Sequence, residues 1–313
     1  MIGVITAAVP HSAVSSNSAS SSNGTWLYDA ILKVFGDIPE AVFELMFVDD
    51  GSTDGTFAQI QELHQKDDRV KCISFSRNFG KEAALFAGIR NITGDCTVVL
   101  DADLQHPPVL IKEMYSLWKE GYQIVEGIKE SRGKESRIHG LFTRLFYRMI
   151  SRAVKIDMAN SSDYKLLDKA VTTELAKLGE RNTFFRALSF WVGFKKTSVY
   201  YQVADRASGR SKWSTRSLMK YAIKNMVCFS YTPLHIISIV GILFVLIAFG
   251  IGLDALFSFF RNSSASGFPT IVFLLLVGFG GCLISLGIIG IYIAQIYDEV
   301  KKRPQYIIGR RIG

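Results

Sequence analysis

Two aspartates with a single residue between them are the strongest candidates for chemistry in this sequence. Asp101 and Asp103 directly follow the apolar run at residues 97–100, which is typical of a buried strand. Polar groups at the carboxyl end of such a strand face the crevice where open α/β sheets bind ligands. Carboxylate oxygens suit Mg²⁺ or Mn²⁺, and these ions often hold substrate phosphates. The pattern predicts a nucleotide diphosphate site, although by itself it equally fits a helix cap at Asp101 and a solvated Asp103.

A second acidic cluster follows an earlier apolar run. Residues 44–48 lead into Asp49, Asp50, Gly51 and Ser52. A strand followed by acid and by a glycine-containing turn is typical of a strand exit in an open α/β sheet. A carboxylate here can accept a hydrogen bond from a base N–H or a ribose hydroxyl, and an ordinary Asp-Gly turn is the alternative. Two such clusters about fifty residues apart favour the nucleotide site.

Two long apolar segments lie near the C-terminus. Residues 234–260 and 270–296 each exceed the roughly 20 residues that span a bilayer core. The hydrophobic content of 49% and the mean hydropathy of +0.21 are high for a soluble enzyme. A helical hairpin buried in a soluble core is the alternative. We predict two transmembrane helices.

The charge distribution predicts how these helices are oriented. The link between the two helices contains one basic residue, Arg261. Many more basic residues flank the pair on both sides: Lys212, Arg216, Lys220, Lys224, Lys301, Lys302, Arg303, Arg310 and Arg311. By the positive-inside rule both flanks are cytoplasmic. The net charge of +8 is then explained by anionic lipid and phosphate, and we expect no nucleic-acid partner.

Composition along the 313 residues divides the chain into five predicted regions. Residues 1–26 form an atypical, flexible N-terminus that contains a Ser/Asn/Gly tract. An α/β domain at 27–210 is followed by a juxtamembrane amphipathic segment at 211–231. Two transmembrane helices occupy 232–298, and a basic cytoplasmic tail occupies 299–313.

Several motifs resemble those of family 2 glycosyltransferases, and most closely the polyprenyl-phosphate type, which includes dolichyl-phosphate mannose synthase and bactoprenol glucosyltransferases. These motifs are at residues 48–52, 76–82, 101–105, 161–167, 181–182, 209–213 and 303–308. The resemblance implies a GT-A type α/β domain with a mostly parallel sheet, followed by a C-terminal two-helix transmembrane hairpin.

The same resemblance implies roles for individual residues. It implies catalytic roles for Asp103 and Asp163, and a Mg²⁺ or Mn²⁺ site at Asp101, Asp103 and Gln105. It implies that the nucleotide is contacted by Asp50, Ser52, Lys81 and Asp101. It also implies that the phosphates or the acceptor are contacted by Arg132, Arg137, Arg206, Ser211 and Lys212. Asp163 matches the family's candidate base. A lipid monophosphate has a second pKa of about 6 and is largely ionised at neutral pH. Whether Asp163 is a base or only orients the reactants therefore stays open.

The implied function is that of a membrane-bound hexosyltransferase. It would transfer one glucose from UDP-glucose, with inversion, to polyprenyl (undecaprenyl) phosphate at the cytoplasmic face of the inner membrane, for cell-envelope glycan such as O-antigen. A donor such as GDP-mannose is an alternative. A processive polysaccharide synthase is disfavoured, because the chain lacks a Gln-x-x-Arg-Trp motif and further spans.

A third alternative belongs to a different functional class. The family's first strand ends in Pro-x-Tyr/Phe-Asn-Glu, and here only Pro10 is retained. This departure puts nucleotide binding in question and is the only support for an inactive, membrane-anchored copy that acts as a binding or assembly partner. The intact Asp101, Asp103 and Asp163 count against this alternative. Gly-rich spans permit close helix packing, so a homo-oligomer is also open.

Overall fold

The computed structural model describes residues 1–8, 23–101, 106–129, 162–181, 183–202, 232–260 and 267–313. The chain divides into two compact units. One unit contains an α/β sheet together with the final segment Arg303–Gly313. The other contains the two long apolar helices.

One mixed sheet organises the first unit. Its strands are β1 (Ile2–Ala8), β2 (Phe43–Asp49), β3 (Val70–Phe75), β4 (Cys96–Asp101), β5 (Ile124–Lys129), β6 (Lys165–Asp168), β7 (Lys196–Tyr201) and β8 (Ile308–Ile312). Within the described residues they follow the order β7-β5-β6-β4-β1-β2-β3-β8. Strands β1 to β4 are mutually parallel and β7 is parallel to β5, whereas β6 and β8 are antiparallel to their neighbours. This mostly parallel sheet confirms the predicted fold class.

Helices cover both faces of the sheet. The described helices are α1 (Asn23–Gly36), α2 (Thr56–Lys66), α3 (Lys81–Asn91), α4 (Leu110–Lys119), α5 (Lys169–Lys177), α6 (Phe185–Trp191), α7 (Thr232–Phe260) and α8 (Phe268–Val300). Successive strand residues point to opposite faces. Val4 joins a buried cluster with Leu27 of α1 and Ile111 of α4, whereas a Cβ on Gly88 of α3 would run into Ile5. Helix α3 therefore packs on the face opposite α1 and α4.

The prediction of a flexible N-terminus at residues 1–26 is wrong at its start. Ile2–Ala8 forms β1, which pairs in parallel with both β2 and β4 at the centre of the sheet. Val4 and Ile5 are completely buried, because a run of apolar and β-branched residues suits a strand covered on both faces. Helix α1 begins within the same range, and residues 9–22 lie outside the described chain.

The predicted basic tail at residues 299–313 returns to the sheet unit. Strand β8 lies at the sheet edge, antiparallel to β3, with Ile308 opposite Phe75. The pairing continues before the strand, where the Ser76 N–H donates to the Ile307 carbonyl at 3.0 Å. Residues that follow the second apolar helix therefore complete the α/β sheet.

The second unit holds helices that are long and apolar enough to cross a membrane. The apolar stretches are Ile237–Asp254 in α7 and Val277–Val300 in α8, and none of their residues is buried. Large exposed apolar side chains such as Phe249 and Leu283 would otherwise face water. By length, composition and exposure, the pair fits the predicted hairpin of membrane helices.

Candidate active site

Acidic side chains meet at one edge of the sheet. Asp50 follows β2 and Asp101 ends β4, and parallel strands bring these carboxyl ends to the same edge. Strand β6 runs antiparallel to β4, with Lys165 opposite Val99. The start of β6 is therefore at that edge too, and Asp163 just before it joins the other two acids.

Asp50 holds the loop that leads into α3. Its Oδ1 accepts a hydrogen bond from the Phe79 N–H at 2.6 Å, and its Oδ2 accepts one from the Gly80 N–H at 2.9 Å. Gly80 has a φ of 98°, a conformation that favours glycine. Burial raises the pKa of Asp50, and the two N–H donors oppose the rise. Each carboxylate oxygen keeps another lone pair, so Asp50 can still accept from a ligand.

The adjacent turn presents the hydroxyl of Ser52. Asp49 is completely buried and accepts hydrogen bonds from the Ser52 N–H at 3.0 Å and the Ser74 hydroxyl at 2.7 Å. Gly51 has a φ of 72°, and a Cβ there would run into the backbone of Arg77. Ser52 Oγ is buried and has no hydrogen-bond partner among the described residues. Buried hydroxyls are normally paired, so a ligand oxygen would satisfy this one.

Lys81 joins two of the acids. Its Nζ lies 2.8 Å from Asp101 Oδ2 and 2.8 Å from Asp163 Oδ2. Burial by itself would lower the pKa of Lys81, but the two carboxylates outweigh it and hold that pKa above its ordinary value. Lys81 is therefore a permanent cation at the strand ends.

Arg186 on α6 is a site residue that the sequence analysis missed. Its Nε donates to Asp163 Oδ1 at 2.7 Å, and its Nη2 donates to Asp163 Oδ2 at 2.9 Å, which is a bidentate pair. Burial by itself would raise the pKa of Asp163, but Arg186 and Lys81 hold it well below its usual range. Asp163 is therefore ionised at neutral pH and a weak proton acceptor. A lone cation within an otherwise largely apolar run at residues 184–191 is the sequence signal that could have revealed Arg186.

Lys165, two residues after Asp163, pairs with Glu126 and not with Asp163. It is completely buried, with Nζ 2.8 Å from the Ser189 hydroxyl and 3.2 Å from Glu126 Oε1. Burial lowers the pKa of Lys165 to about 8, and Glu126 opposes the shift. Glu126 also accepts from the Ser162 N–H at 2.7 Å. This buried pair supports the loop that carries Asp163, and Arg186 supplies the bidentate contact.

Glu82 ties α3 to α6. Its Oε2 accepts a hydrogen bond from the N–H of Phe185, the first residue of α6, at 2.8 Å. Burial raises the pKa of Glu82 to about 7, with opposition from the Phe185 N–H and a further rise from Asp163. The contact links the helix that begins with Lys81 to the helix that carries Arg186.

We expect Glu82→Gln to remove a pH dependence of stability. The native pKa of about 7 exceeds the ordinary 4.5, so wild-type stability falls as pH rises from about 4.5 through 7. Glutamine still accepts the Phe185 N–H and never ionises. The variant should unfold at a higher temperature than wild type at pH 8, and at a similar temperature at pH 5. Thermal unfolding followed by tryptophan fluorescence measures this, and an equal difference at both pH values would contradict it.

The remaining predicted site residues lie outside the described chain. They are Asp103, Gln105, Arg132, Arg137, Arg206, Ser211 and Lys212. The other predicted site residues are described and lie together at the carboxyl ends of the parallel strands. We call this group the strand-end cluster: Asp50, Ser52, Lys81, Asp101 and Asp163.

Asp101 provides one oxygen ligand of the kind that Mg²⁺ and Mn²⁺ prefer. Its Oδ2 accepts from Lys81, and its Oδ1 has no hydrogen-bond partner within the described chain. In that same part of the chain, no three His, Cys, Asp or Glu side chains form a group that could hold a metal ion. The donor type fits a hard cation, and the other predicted ligands, Asp103 and Gln105, lie in an undescribed segment.

A mostly parallel α/β sheet with acidic side chains at its carboxyl edge fits the GT-A class of glycosyltransferases. The family model described as glycosyl transferase family 2 matches residues 23–172. A putative glycosyltransferase CsbB from Bacillus subtilis (strain 168) is 39% identical over 284 residues, covering 90% of this chain and 86% of the relative. A bactoprenol glucosyl transferase from Shigella phage SfII is 34% identical over 283 residues, covering 88% of this chain and 90% of the relative. The chain therefore belongs to glycosyltransferase family 2.

Among solved structures, a glucosyl-3-phosphoglycerate synthase from Mycobacterium tuberculosis in complex with phosphoglyceric acid is similar. The TM-score is 0.44 with 16% identity, over 72% of this chain and 77% of the other.

Proposed function

We propose that this glycosyltransferase transfers one glucose from UDP-glucose to polyprenyl phosphate at the cytoplasmic face of the membrane, with inversion at the anomeric carbon. The phage relative is named a bactoprenol glucosyl transferase, which supports both the sugar and a polyprenyl lipid as acceptor. The product would be a lipid-linked sugar for the modification of cell-envelope glycan.

The observation that carries this proposal is the return of the chain to the sheet after α8. Strands β7 and β8 precede and follow the helix pair and belong to one sheet. If both helices span the bilayer, the chain crosses it an even number of times and the catalytic domain stays on one side. The flanking basic residues favour the cytoplasmic side.

Donor binding follows from the strand-end cluster. We assign the nucleoside to Asp50 and Ser52, because carboxylate and hydroxyl oxygens accept from base N–H and ribose O–H groups. The diphosphate bears negative charge that increases as it leaves, so it requires cations. Besides Lys81, we propose guanidinium, ammonium and hydroxyl groups as its partners: Arg132, Arg137, Arg206, Ser211 and Lys212.

We propose that Asp101, Asp103 and Gln105 hold Mg²⁺ or Mn²⁺. When bound, such an ion neutralises charge on a leaving diphosphate. Asp101 is oriented for this role by Lys81, which occupies Oδ2 at 2.8 Å and leaves Oδ1 for another partner. The catalytic contribution of Asp103 would then be that of a ligand.

The acceptor requires little help from a base. A phosphomonoester has a second pKa of about 6, so its oxygen is ionised at neutral pH and can attack the anomeric carbon directly. The pKa of Asp163 is held well below its usual range, which makes that carboxylate a weak base. We therefore propose that Asp163 orients Lys81 and Arg186 and does not remove a proton.

The inactive-copy alternative has less support once β1 is considered. It was motivated by the altered sequence around Pro10, yet Ile2–Ala8 occupies the centre of the sheet. The departure from the family motif is confined to residues after that strand.

The test is transfer of radiolabelled glucose from UDP-glucose to undecaprenyl phosphate in membranes that contain the protein. We expect a labelled lipid product that requires Mg²⁺ or Mn²⁺ and disappears with EDTA. Asp103→Ala should lower the rate by about a hundredfold, as expected when charge stabilisation of the leaving group is lost. GDP-mannose serves as the competing donor. Absence of product from every sugar nucleotide, with wild-type protein present, would overturn the proposal.

A further inference from the structure

The segment after α8 begins at the carboxyl ends of the parallel strands, where the active-site residues also lie. Strand β8 is antiparallel to β3, so its start lies where the parallel strands end. Gln305 and Tyr306 lie three and two residues before that start, much as Asp163 lies two residues before the antiparallel β6. Only residues 301–304 separate Gln305 from Val300, the last residue of α8.

Gln305 supports the loop that precedes α6. Its Oε1 accepts a hydrogen bond from Arg90 Nη1 at 2.8 Å, and its Nε2 donates to the Glu180 carbonyl. Arg90 lies on α3 and also donates from Nη2 to the Leu178 carbonyl at 2.8 Å. The loop between α5 and α6 is therefore tied to α3 through two side chains. Helix α6, which follows this loop, carries Arg186.

Tyr306 supports the other loop of the site. Its ring stacks on Phe75 with centroids 5.0 Å apart, and Phe75 meets Phe79 edge to face at 5.7 Å. The N–H of Phe79 is a donor to Asp50. Neighbouring residues of one short segment thus contact the loop before α6 and, through Phe75, the side chain of Phe79, whose backbone N–H binds Asp50.

We propose that Gln305 is a positioning residue for the transfer reaction. By holding the loop before α6, it keeps Arg186 in register for its two hydrogen bonds to Asp163. The inference rests on the function proposed above, because its kinetic test needs a transfer assay. The segment after the membrane helices then belongs to the framework of the active site.

The kinetic test uses the full-length protein in lipid nanodiscs. We expect Gln305→Ala to lower kcat about tenfold, with KM for UDP-glucose and Tm close to wild type, because small displacements of positioning groups reduce kcat. Gln305→Glu can accept from Arg90 but cannot donate to the Glu180 carbonyl, so it should be similarly impaired. Gln65→Ala, at an exposed position on α2, is the matched control and should behave as wild type.

A double-mutant cycle distinguishes positioning from general stabilisation. If Gln305 acts through Arg186, its removal should have little further effect in an Arg186→Lys background, with less than about a twofold additional loss of kcat. Independent, multiplicative losses would overturn the inference, and so would wild-type kcat in Gln305→Ala.

Amide hydrogen exchange tests the same contact without any substrate. Gln305→Ala should exchange faster than wild type in peptides that cover residues 183–191, and Gln65→Ala should not. Unchanged exchange in Gln305→Ala would overturn the inference. Lack of transfer by the wild type would instead contradict the proposed function, so the two failures are distinguishable.

Discussion

Arg186→Ala is expected to lower kcat by about a hundredfold or more while the protein remains folded. Asp163, whose side chain is only 9% exposed, would lose both hydrogen bonds from the guanidinium and keep Lys81 as its partner among the described residues. Lys81 would then be drawn toward the less compensated carboxylate and away from Asp101. A displacement of about 1 Å in a catalytic group can cost roughly 10² in rate. Steady-state transfer kinetics measure the change.

The pH profile of the same variant tests the role of Asp163. Without Arg186 the pKa of Asp163 should rise, because burial is then opposed by Lys81 alone. Activity of the variant should fall as pH drops through this raised pKa, since a protonated Asp163 no longer holds Lys81. The wild type should show no such loss from this group at neutral pH.

The control for Arg186 is a similar bidentate pair, Arg69 with Asp67, whose carboxylate is equally buried and whose arginine is more exposed. Arg69 donates from Nε and Nη2 to Asp67 at 2.8 Å and 2.7 Å, and it is exposed. Arg69→Ala should leave kcat unchanged, because Arg69 directly precedes β3 and so lies at the starts of the parallel strands, away from the active site. Arg186→Lys keeps the charge without the bidentate geometry and should fall between wild type and Arg186→Ala. Wild-type kcat in Arg186→Ala would contradict the assignment.

Lys81→Met is expected to have the largest effect, a loss of kcat of about a thousandfold. Methionine has a similar length and no charge, so Asp101 and Asp163 would face each other without the cation between them. Asp163 would keep its two hydrogen bonds from Arg186, but losing the Lys81 cation raises the pKa of Asp163. Because Lys81 and Asp101 are partly exposed, the loss of stability should be smaller than the roughly 3–5 kcal/mol that removing one partner of a fully buried pair costs. We expect lower Tm and near loss of transfer, measured by thermal unfolding and the glucose-transfer assay.

A matched lysine separates catalysis from stability. Lys71 pairs with Glu44 at 2.6 Å, and its side chain is 30% exposed, compared with 34% for Lys81. Glu44 is the second residue of β2 and therefore lies at the amino ends of the parallel strands, away from the active site at their carboxyl ends. Lys71→Met should lower Tm and leave kcat near wild type. If both variants lost the same activity, Lys81 would have only a structural role.

Several features of this protein could be predicted because they depend on neighbouring residues. An apolar run that ends in acid indicates a strand and its exit, so Asp50 and Asp101 could be assigned to one sheet edge. Length and composition alone identify α7 and α8 as helices that fit a membrane. The N-terminal strand was missed because the Ser/Asn/Gly tract beyond it obscured an ordinary apolar run.

The rest depends on contacts between residues far apart in the chain. Lys81 meets Asp163 across 82 positions, and Arg90 meets Gln305 across 215. Neither Arg186 nor Gln305 has a local pattern that reveals its partner.

Local sequence thus determined the strands, the strand-end acids and the apolar helices, because these follow from periodicity and side-chain type. The tertiary structure decided which groups meet those acids, because strand direction is set by pairing with distant strands. The antiparallel course of β6 brings Asp163 to Lys81, and that of β8 brings Gln305 to the loop before α6.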